Sequence, residues 1–384
     1  MFIHLLGFGI IIPLLPYYAE SYGASGLTVG LLTTSFSIMQ FLFAPIWGRL
    51  SDRIGRRPVL IGSLLLTSLS YVVFAVAGSL PILFLSRMLA GFAGGTISTA
   101  QAYIADTTTP AERTKGMGLI GAAFGMGFIF GPAMGGILSR WGYAVPAYAA
   151  AGLALGAAAL AFAKLRESIT PGTRTSKAEL RRGAAPLLHA IRRPVVGTVL
   201  LLFFTTTICF SGMEAILALF CEHQYDWGPS RIGYLFAYVG ILSAGLQMGL
   251  VGTLARRFGE RALVRTGLVL MGISFALAGL APPVAVFLLA MGGIALASGL
   301  TTPSLSGLVS TATAADEQGG ILGIYQSLGS LARAIGPFLG GLAFDRIAHG
   351  APLWIAGAVL VMAGVAAASL PSRAHRRLSE AGAA

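Results

Sequence analysis

The stretch Gly48–Pro58 reads GRLSDRIGRRP and is flanked on both sides by long apolar segments. It holds four arginines and one aspartate, although only 10% of the residues in the chain are charged. A polyanion-binding patch, a catalytic site and a charged turn between membrane helices would each explain such a cluster. The composition and the flanking segments decide between these explanations.

The composition is that of a membrane protein. Of the 384 residues 55% are hydrophobic, and the charged fraction is far below the roughly 25% of soluble domains. Within lipid, backbone hydrogen bonds must close inside helices or in a sealed barrel. The apolar runs lack the alternating pattern of barrel strands, so we predict a polytopic helical membrane protein.

Hydropathy and helix-breaking residues divide the chain into twelve apolar segments. We place them at residues 2–19, 28–48, 58–78, 81–105, 115–139, 144–163, 195–220, 230–255, 263–281, 284–311, 320–344 and 351–370. A membrane-spanning helix needs about 20 apolar residues. The sequence therefore predicts an all-α fold of twelve transmembrane helices, with GRLSDRIGRRP as the turn between spans two and three.

The basic charges follow the predicted topology. Of the 26 lysines and arginines, 21 fall on the side of the membrane that carries GRLSDRIGRRP, and three (Arg140, Arg231 and Arg346) fall on the other. Positive residues are retained on the cytoplasmic side. Both chain termini are therefore predicted to be cytoplasmic, and the net charge of +12 does not indicate nucleic-acid binding.

The chain consists of two similar halves. Residues 164–194 are the only long polar interruption, and they separate a first bundle (1–163) from a second (195–371) and a short tail (372–384). GRLSDRIGRR at 48–57 aligns with GTLARRFGER at 252–261, and GPAMGG at 131–136 aligns with GPFLGG at 336–341. The two offsets agree within one residue, which indicates duplication. Parallel six-helix repeats are typical of transporters that bind substrate between the halves.

Four motifs follow one another on the first half. They are the loop residues Gly48, Leu50, Asp52, Arg53, Gly55, Arg56 and Arg57, then Arg87 and Gly91 in span four, Ala105, Asp106 and Arg113 after it, and Gly127, Gly131, Pro132, Gly135 and Gly136 in span five. With these motifs the whole chain resembles the major facilitator superfamily. Within that family it is similar to the drug:proton antiporters, which include bacterial quinolone and tetracycline exporters.

The resemblance implies a fold of two pseudo-symmetric six-helix bundles and export of small amphipathic compounds by alternating access. It implies a proton gradient as the energy source, with no cofactor, and a monomer in the bacterial inner membrane. It also implies that Asp52 meets a helix N-terminus in the other half and that Arg56 pairs with Asp106. Together these contacts would latch the cytoplasmic side, while the span-five glycines shape the cavity and limit leakage.

Other classes of function have little support in the sequence. The GxGxxG at Gly116, Gly118 and Gly121 opens an apolar helix rather than following a strand, so it does not indicate a dinucleotide site. There is no Walker A motif, no metal-ligand cluster and no pair of carboxylates within a span. An enzyme is therefore not expected. A transporter of a metabolite, sugar or lipid and a non-transporting sensor remain as alternatives.

Three charged residues lie deep within predicted spans, away from the span ends. Glu214 is the only acid deep inside an apolar segment, and Arg87 and Arg333 are the intramembrane bases. Ionisable residues at such positions are costly and usually face a cavity. We expect Glu214 to bind the coupling proton or a cationic substrate, the alternative being a permanently protonated glutamic acid. By resemblance Arg87 takes part in proton transfer, the alternative being a structural anchor.

Several polar and aromatic residues are candidates for the cavity wall. Gln326, Ser330 and Arg333 share one helix face, and Gln40 and Gln247 occupy matching spans two and eight. The candidates are Phe36, Gln40, Phe210, Gln247, Gln326 and Ser330. Contacts between helices are the alternative role for both glutamines.

His4 marks a departure from the family pattern. Span one reads FIHLLGFG, with His4 where relatives often carry an aspartate. A histidine titrates near neutral pH, so His4 is a further candidate for proton coupling, with an interfacial role as the alternative.

Overall fold

A computed structural model describes residues 1–108, 110–168, 193–313 and 318–369. Most of the predicted linker (164–194) and all of the predicted tail (372–384) lie outside these residues. Within the described part, the secondary structure consists of helices and their connections, with no strand.

The helices of the first half follow the predicted spans. They are α1 (Phe2–Ile11), α2 (Leu14–Glu20), α3 (Gly26–Ile54), α4 (Arg56–Ala75), α5 (Leu80–Phe92), α6 (Thr96–Thr107), α7 (Pro110–Leu138) and α8 (Ala144–Lys164). Span one is divided at Pro13, which lacks a backbone donor, and span four is divided near Gly94 and Gly95.

The helices of the second half also follow the predicted spans. They are α9 (Pro194–Tyr225), α10 (Pro229–Gly249), α11 (Val251–Phe258), α12 (Glu260–Gly279), α13 (Val284–Thr311), α14 (Gln318–Arg346) and α15 (Ala351–Ala366). Span eight comprises α10 and α11, which are bent by 52° at the break. Every predicted span therefore coincides with one helix or with a divided pair.

Length and composition alone support most of these spans. Among the described residues eight helices are long and apolar enough to cross a membrane, and the bent pair is a ninth. Of the other predicted spans, α15 is apolar but shorter, and α7 and α14 adjoin residues that the structure does not describe. The predicted class, a twelve-helix membrane protein, is confirmed together with the family evidence given below.

The described residues form two compact units. Of the described residues, the first unit contains those up to 168 together with Glu214–Gly240 and Pro337–Asp345, and the second contains those of 193–213, 241–336 and 346–369. In the first unit, α4 packs on α8 through Leu64, Ala158 and Ala161. In the second, α12 packs on α15, where a Cβ on Gly272 would lie 2.7 Å from the Gly357 carbonyl. The predicted domain boundaries follow the sequence repeat and remain a prediction.

Candidate functional site

The loop GRLSDRIGRRP forms a sharp corner between α3 and α4. Gly55 lies at this corner with φ 104° and ψ 156°, a conformation that residues with a side chain rarely adopt. The second copy has the same corner, since Gly259 joins α11 to α12 with φ 82° and ψ 151°. The matching glycines of the two loops therefore have a backbone reason that is independent of charge.

Arg56 is the centre of a buried polar network. Its guanidinium lies 2.6 Å from Asp52 and 3.1 Å from Asp106, and it also donates to the Ser51 hydroxyl. The side chains of Arg56 and Asp106 are 6% and 8% exposed, whereas that of Asp52 is 49% exposed. The predicted pair between Arg56 and Asp106 is confirmed. The predicted contact of Asp52 with a helix N-terminus in the other half remains a prediction.

Glu167 completes the network from the end of α8. Its carboxylate accepts hydrogen bonds from the backbone amides of Arg56 and Arg57, at 2.8 and 3.2 Å, and so caps α4. Arg57 donates to the Phe162 carbonyl at 2.6 Å and lies over the Phe162 ring. The sequence predicted only a polar linker over residues 164–194 and gave no indication of this contact. Three other residues of the predicted gating motif can be placed as follows. Gly48 and Arg53 lie on the last turns of α3. The side chain of Arg113 lies outside the described residues.

We call the face that carries this loop the arginine-rich face. The arginine-poor face is the opposite one, where residues 20–26, 139–143, 225–230 and 345 meet. There the Tyr17 hydroxyl donates to the Trp227 carbonyl at 2.6 Å. Burial raises the pKa of Tyr143, and the nearby carboxylates of Glu222 and Glu20 raise it further.

The glycines of span five are sites of close helix packing. A Cβ on Gly131 would lie 2.6 Å from Gly9 Cα, and one on Gly127 would lie 2.9 Å from the backbone of Leu5. Gly135 approaches the Ile10 carbonyl in the same way. Small residues let helix backbones approach in lipid, so α7 and α1 pack almost backbone to backbone.

The duplicated GPAMGG and GPFLGG sequences form two related crossings at the arginine-poor face. In the first, Gly136 contacts Pro229 and Gly233 contacts the Pro132 carbonyl, which brings α7 against α10. In the second, the Gly341, Gly26, Gly30 and Pro337 backbones bring α14 against α3 in the same pattern. The repeat found in the sequence is therefore also a repeat of contacts within the first unit.

Arg87 is enclosed within the first half. It is 4% exposed, its guanidinium lies 4.9 Å from the centre of the Phe74 ring, and its Nε lies 3.5 Å from the Ser86 hydroxyl. Its Nη2 has no hydrogen-bond partner among the described residues. The contact with Phe74 is a cation–π interaction. The expected role of Arg87 in proton transfer, or alternatively as an ion-pair or backbone-carbonyl anchor, stays a prediction.

The polar stripe of α14 has the predicted geometry. Arg333 donates to the Ser330 hydroxyl at 3.3 Å, and Ser330 donates to the Gln326 carbonyl at 3.1 Å. Beside it the rings of Tyr325 and Phe203 stack with centres 3.6 Å apart. This aromatic pair was missed in the sequence, because helical spacing within α14 does not show which residues of α9 it meets.

The remaining candidates lie on the spans predicted for them. Glu214 is half-buried on α9, with Phe210 one turn before it, and Gln247 is exposed on α10. In the first half Gln40 packs on Gly94. His4 lies on α1, and its Nδ1 has no partner among the described residues.

Phe36 belongs to an aromatic group that the sequence reading did not assemble. The rings of Phe36 and Phe8 lie 5.6 Å apart, and those of Phe8 and Phe128 lie 6.1 Å apart. These residues come from spans two, one and five. Phe8 lies in the first-span sequence FIHLLGFG, but that sequence does not show which rings of other spans it meets.

Comparison with known proteins decides the family. The family model of the Major Facilitator Superfamily matches residues 1–259 and 248–383. The chain belongs to the major facilitator superfamily. Secondary transport of a small molecule across a membrane is the activity of this family, so this member is a transporter.

Relatives of this superfamily member resemble it along nearly its whole length. Multidrug resistance protein 2 of Bacillus subtilis is 32% identical over 94% of this chain and 91% of its own. The class B tetracycline resistance protein of Escherichia coli is also 32% identical, over 91% of this chain and 87% of its own. The crystal structure of the human organic anion transporter MFSD10 is similar with a TM-score of 0.71 and 26% identity, covering 95% of this chain and 96% of that one.

Proposed function

We propose that this transporter exports small amphipathic compounds in exchange for protons. The proposal is supported by its likeness to multidrug and tetracycline resistance proteins over most of the chain. A glutamate within an apolar span of α9 supplies a group that can carry the proton. The position of this glutamate, Glu214, within an apolar span is the observation on which the proposed coupling mechanism depends.

In this proposal the coupling roles belong to separate groups. Glu214 exchanges its proton for the substrate, and Arg333 on the polar stripe of α14 supplies a counter-charge in the cavity. Arg87 lies against Phe74 and takes part in proton transfer, with His4 as a further coupling residue. Phe36, Phe210, Gln40 and Gln247 contribute to the cavity wall together with Gln326 and Ser330.

The arginine-rich face carries the cytoplasmic gate in this proposal. The Arg56 network holds the corner between α3 and α4 in one shape, so that Asp52 can engage a helix N-terminus of the second half when that side closes. Both termini are then cytoplasmic in the bacterial inner membrane. The transporter works as a monomer, catalyses no reaction and uses the proton gradient in place of a cofactor.

The proposal is tested in proteoliposomes with an imposed pH gradient and a panel of fluorescent cationic dyes, tetracyclines and organic anions. Organic anions are included because the human relative is named an organic anion transporter. We expect the wild-type protein to accumulate a cationic or zwitterionic compound against its gradient. Glu214→Gln should abolish the dependence on the pH gradient, because glutamine cannot release a proton.

Asp226→Asn is the matched control, since it also converts an acid to an amide but lies in a connection outside the spans. It should accumulate the same compound as the wild type. Accumulation by Glu214→Gln with an unchanged dependence on pH would show that Glu214 does not carry the proton. Accumulation by the wild type without any pH gradient or membrane potential would exclude proton-driven export.

A further inference from the structure

Asp345, at the end of α14, binds the N-terminus of α3. Its Oδ1 accepts a hydrogen bond from the Gly26 amide at 2.9 Å, and its Oδ2 accepts one from the Leu27 amide at 2.8 Å. The first amides of a helix have no partner within the helix, and the helix N-terminus carries a partial positive charge. Both carboxylate oxygens are therefore used in a charge-assisted contact across 319 residues of sequence.

The surrounding residues leave these two amides available for Asp345. Ser25 caps α3 locally, but its hydroxyl accepts from the Thr28 amide, which is further into the helix. A Cβ on Gly26 would lie 2.7 Å from Asp345 Oδ1, so a side chain there would force the carboxylate to shift. The close crossing of Gly30 with Pro337 and of Gly341 with Gly26 holds the two helix ends at the required distance.

The related crossing, between α7 and α10, carries the opposite charge at the matching position. The residue that corresponds to Asp345 at the offset of 205 is Arg140, which has the opposite charge. Its Nε lies 3.5 Å from the Ser230 hydroxyl, and Ser230 donates to the Gly136 carbonyl at 2.6 Å. The two crossings therefore differ in kind: a carboxylate binds backbone amides of a helix N-terminus between α3 and α14, whereas an arginine lies beside a hydroxyl between α7 and α10.

We propose that Asp345 is a gating residue that holds the arginine-poor ends of α3 and α14 together, and that its two hydrogen bonds break and re-form in each transport cycle. Alternating access requires this face to open, and opening separates a carboxylate on one half of the repeat from a helix N-terminus on the other. The inference rests on alternating access, but it is independent of the driving ion and of the substrate.

The experiment measures distances between spin labels at Ser21 and Ile347, both exposed residues beside the crossing. The full chain is placed in lipid nanodiscs, with Cys209 and Cys221 replaced by alanine. Asp345→Asn removes the charge and leaves a single acceptor oxygen. Because hydrogen bonds to charged groups are the stronger class, we expect the ratio of long-distance to short-distance populations to rise about tenfold.

Three further variants complete the test. Asp345→Glu should restore much of the short-distance population, because it keeps the carboxylate. Gly341→Ala should raise the long-distance population independently, since its Cβ would strike the Gly26 carbonyl. Asp226→Asn is the control and should match the wild type; its φ of 52° is one that asparagine accepts.

A distance distribution in Asp345→Asn equal to that of the wild type would overturn the proposal, whether or not Gly341→Ala shifts it. If the melting temperature of Asp345→Asn falls while its distribution stays unchanged, Asp345 has a structural role only. A tenfold shift that Asp345→Glu reverses would establish the gating role independently of whether protons drive transport.

Discussion

At the scale of single residues, burial separates charges that the sequence presents as one cluster. Arg56 and its partner Asp106 are almost fully buried, whereas Asp52, four residues before Arg56, remains half exposed. Removing one partner of a buried pair leaves an uncompensated charge, while exposed pairs contribute little. The charged residues of GRLSDRIGRRP are therefore not equivalent, although they lie close together in the sequence.

This difference predicts unequal effects of two similar substitutions. Asp106→Asn should lower the free energy of unfolding by about 3 kcal/mol, because Arg56 stays buried with less compensation. Asp52→Asn should cost about 1 kcal/mol or less. Thermal unfolding of both variants in the same detergent measures the difference, and equal shifts in melting temperature would contradict the assigned burial.

If Asp52 serves the gate, Asp52→Asn should also slow transport while leaving substrate affinity unchanged.

At the scale of helices, glycine positions determine which pairs can approach closely. The sequence motif predicted close packing for span five, and the structure shows the partner, since Gly131 and Gly127 meet α1. Other glycines, such as Gly152 and Gly156 on α8, have open space where a Cβ would lie, with nothing within 4 Å. Spacing alone does not distinguish the two kinds, because the distinction depends on which helix lies opposite.

A matched pair of substitutions tests this distinction. Gly131→Ala should lower the free energy of unfolding by about 1–3 kcal/mol, because the added methyl group meets the backbone at Gly9. Gly152→Ala should be neutral or stabilising by up to about 1 kcal/mol, since alanine favours the helix. Melting temperatures in detergent decide the matter. A stable Gly131→Ala protein with wild-type transport would show that the α1–α7 contact tolerates separation.

At the scale of the whole molecule, hydropathy was sufficient to place the spans, because an apolar stretch in lipid has few structures open to it. The repeat offset aligned Gly55 with Gly259, and the structure shows that both lie at corners between helices. Contacts between distant segments were not predictable from the residues alone; the confirmed pair of Arg56 and Asp106 came from the family resemblance. A carboxylate bound to a helix N-terminus was expected of Asp52, and the structure shows such a contact for Asp345 at the opposite face.

The candidate site was only partly predictable for the same reason. The stripe of Gln326, Ser330 and Arg333 depends on helical periodicity within one segment, so the sequence was enough to define it. The stacking of Tyr325 on Phe203 and the capping of α4 by Glu167 depend on where other helices lie. Periodicity within one segment does not show which residues of another helix lie opposite it.

In the proposed mechanism, export of a compound and entry of protons are one coupled process. The most direct measurement uses proteoliposomes with no initial pH gradient, a compound gradient and a pH-sensitive dye inside. Because antiport is reversible, the compound gradient alone should drive protons in the opposite direction, and the Glu214→Gln protein should move none. Flow of the compound down its gradient through the wild-type protein, with no change in internal pH and the membrane potential clamped, would contradict the account.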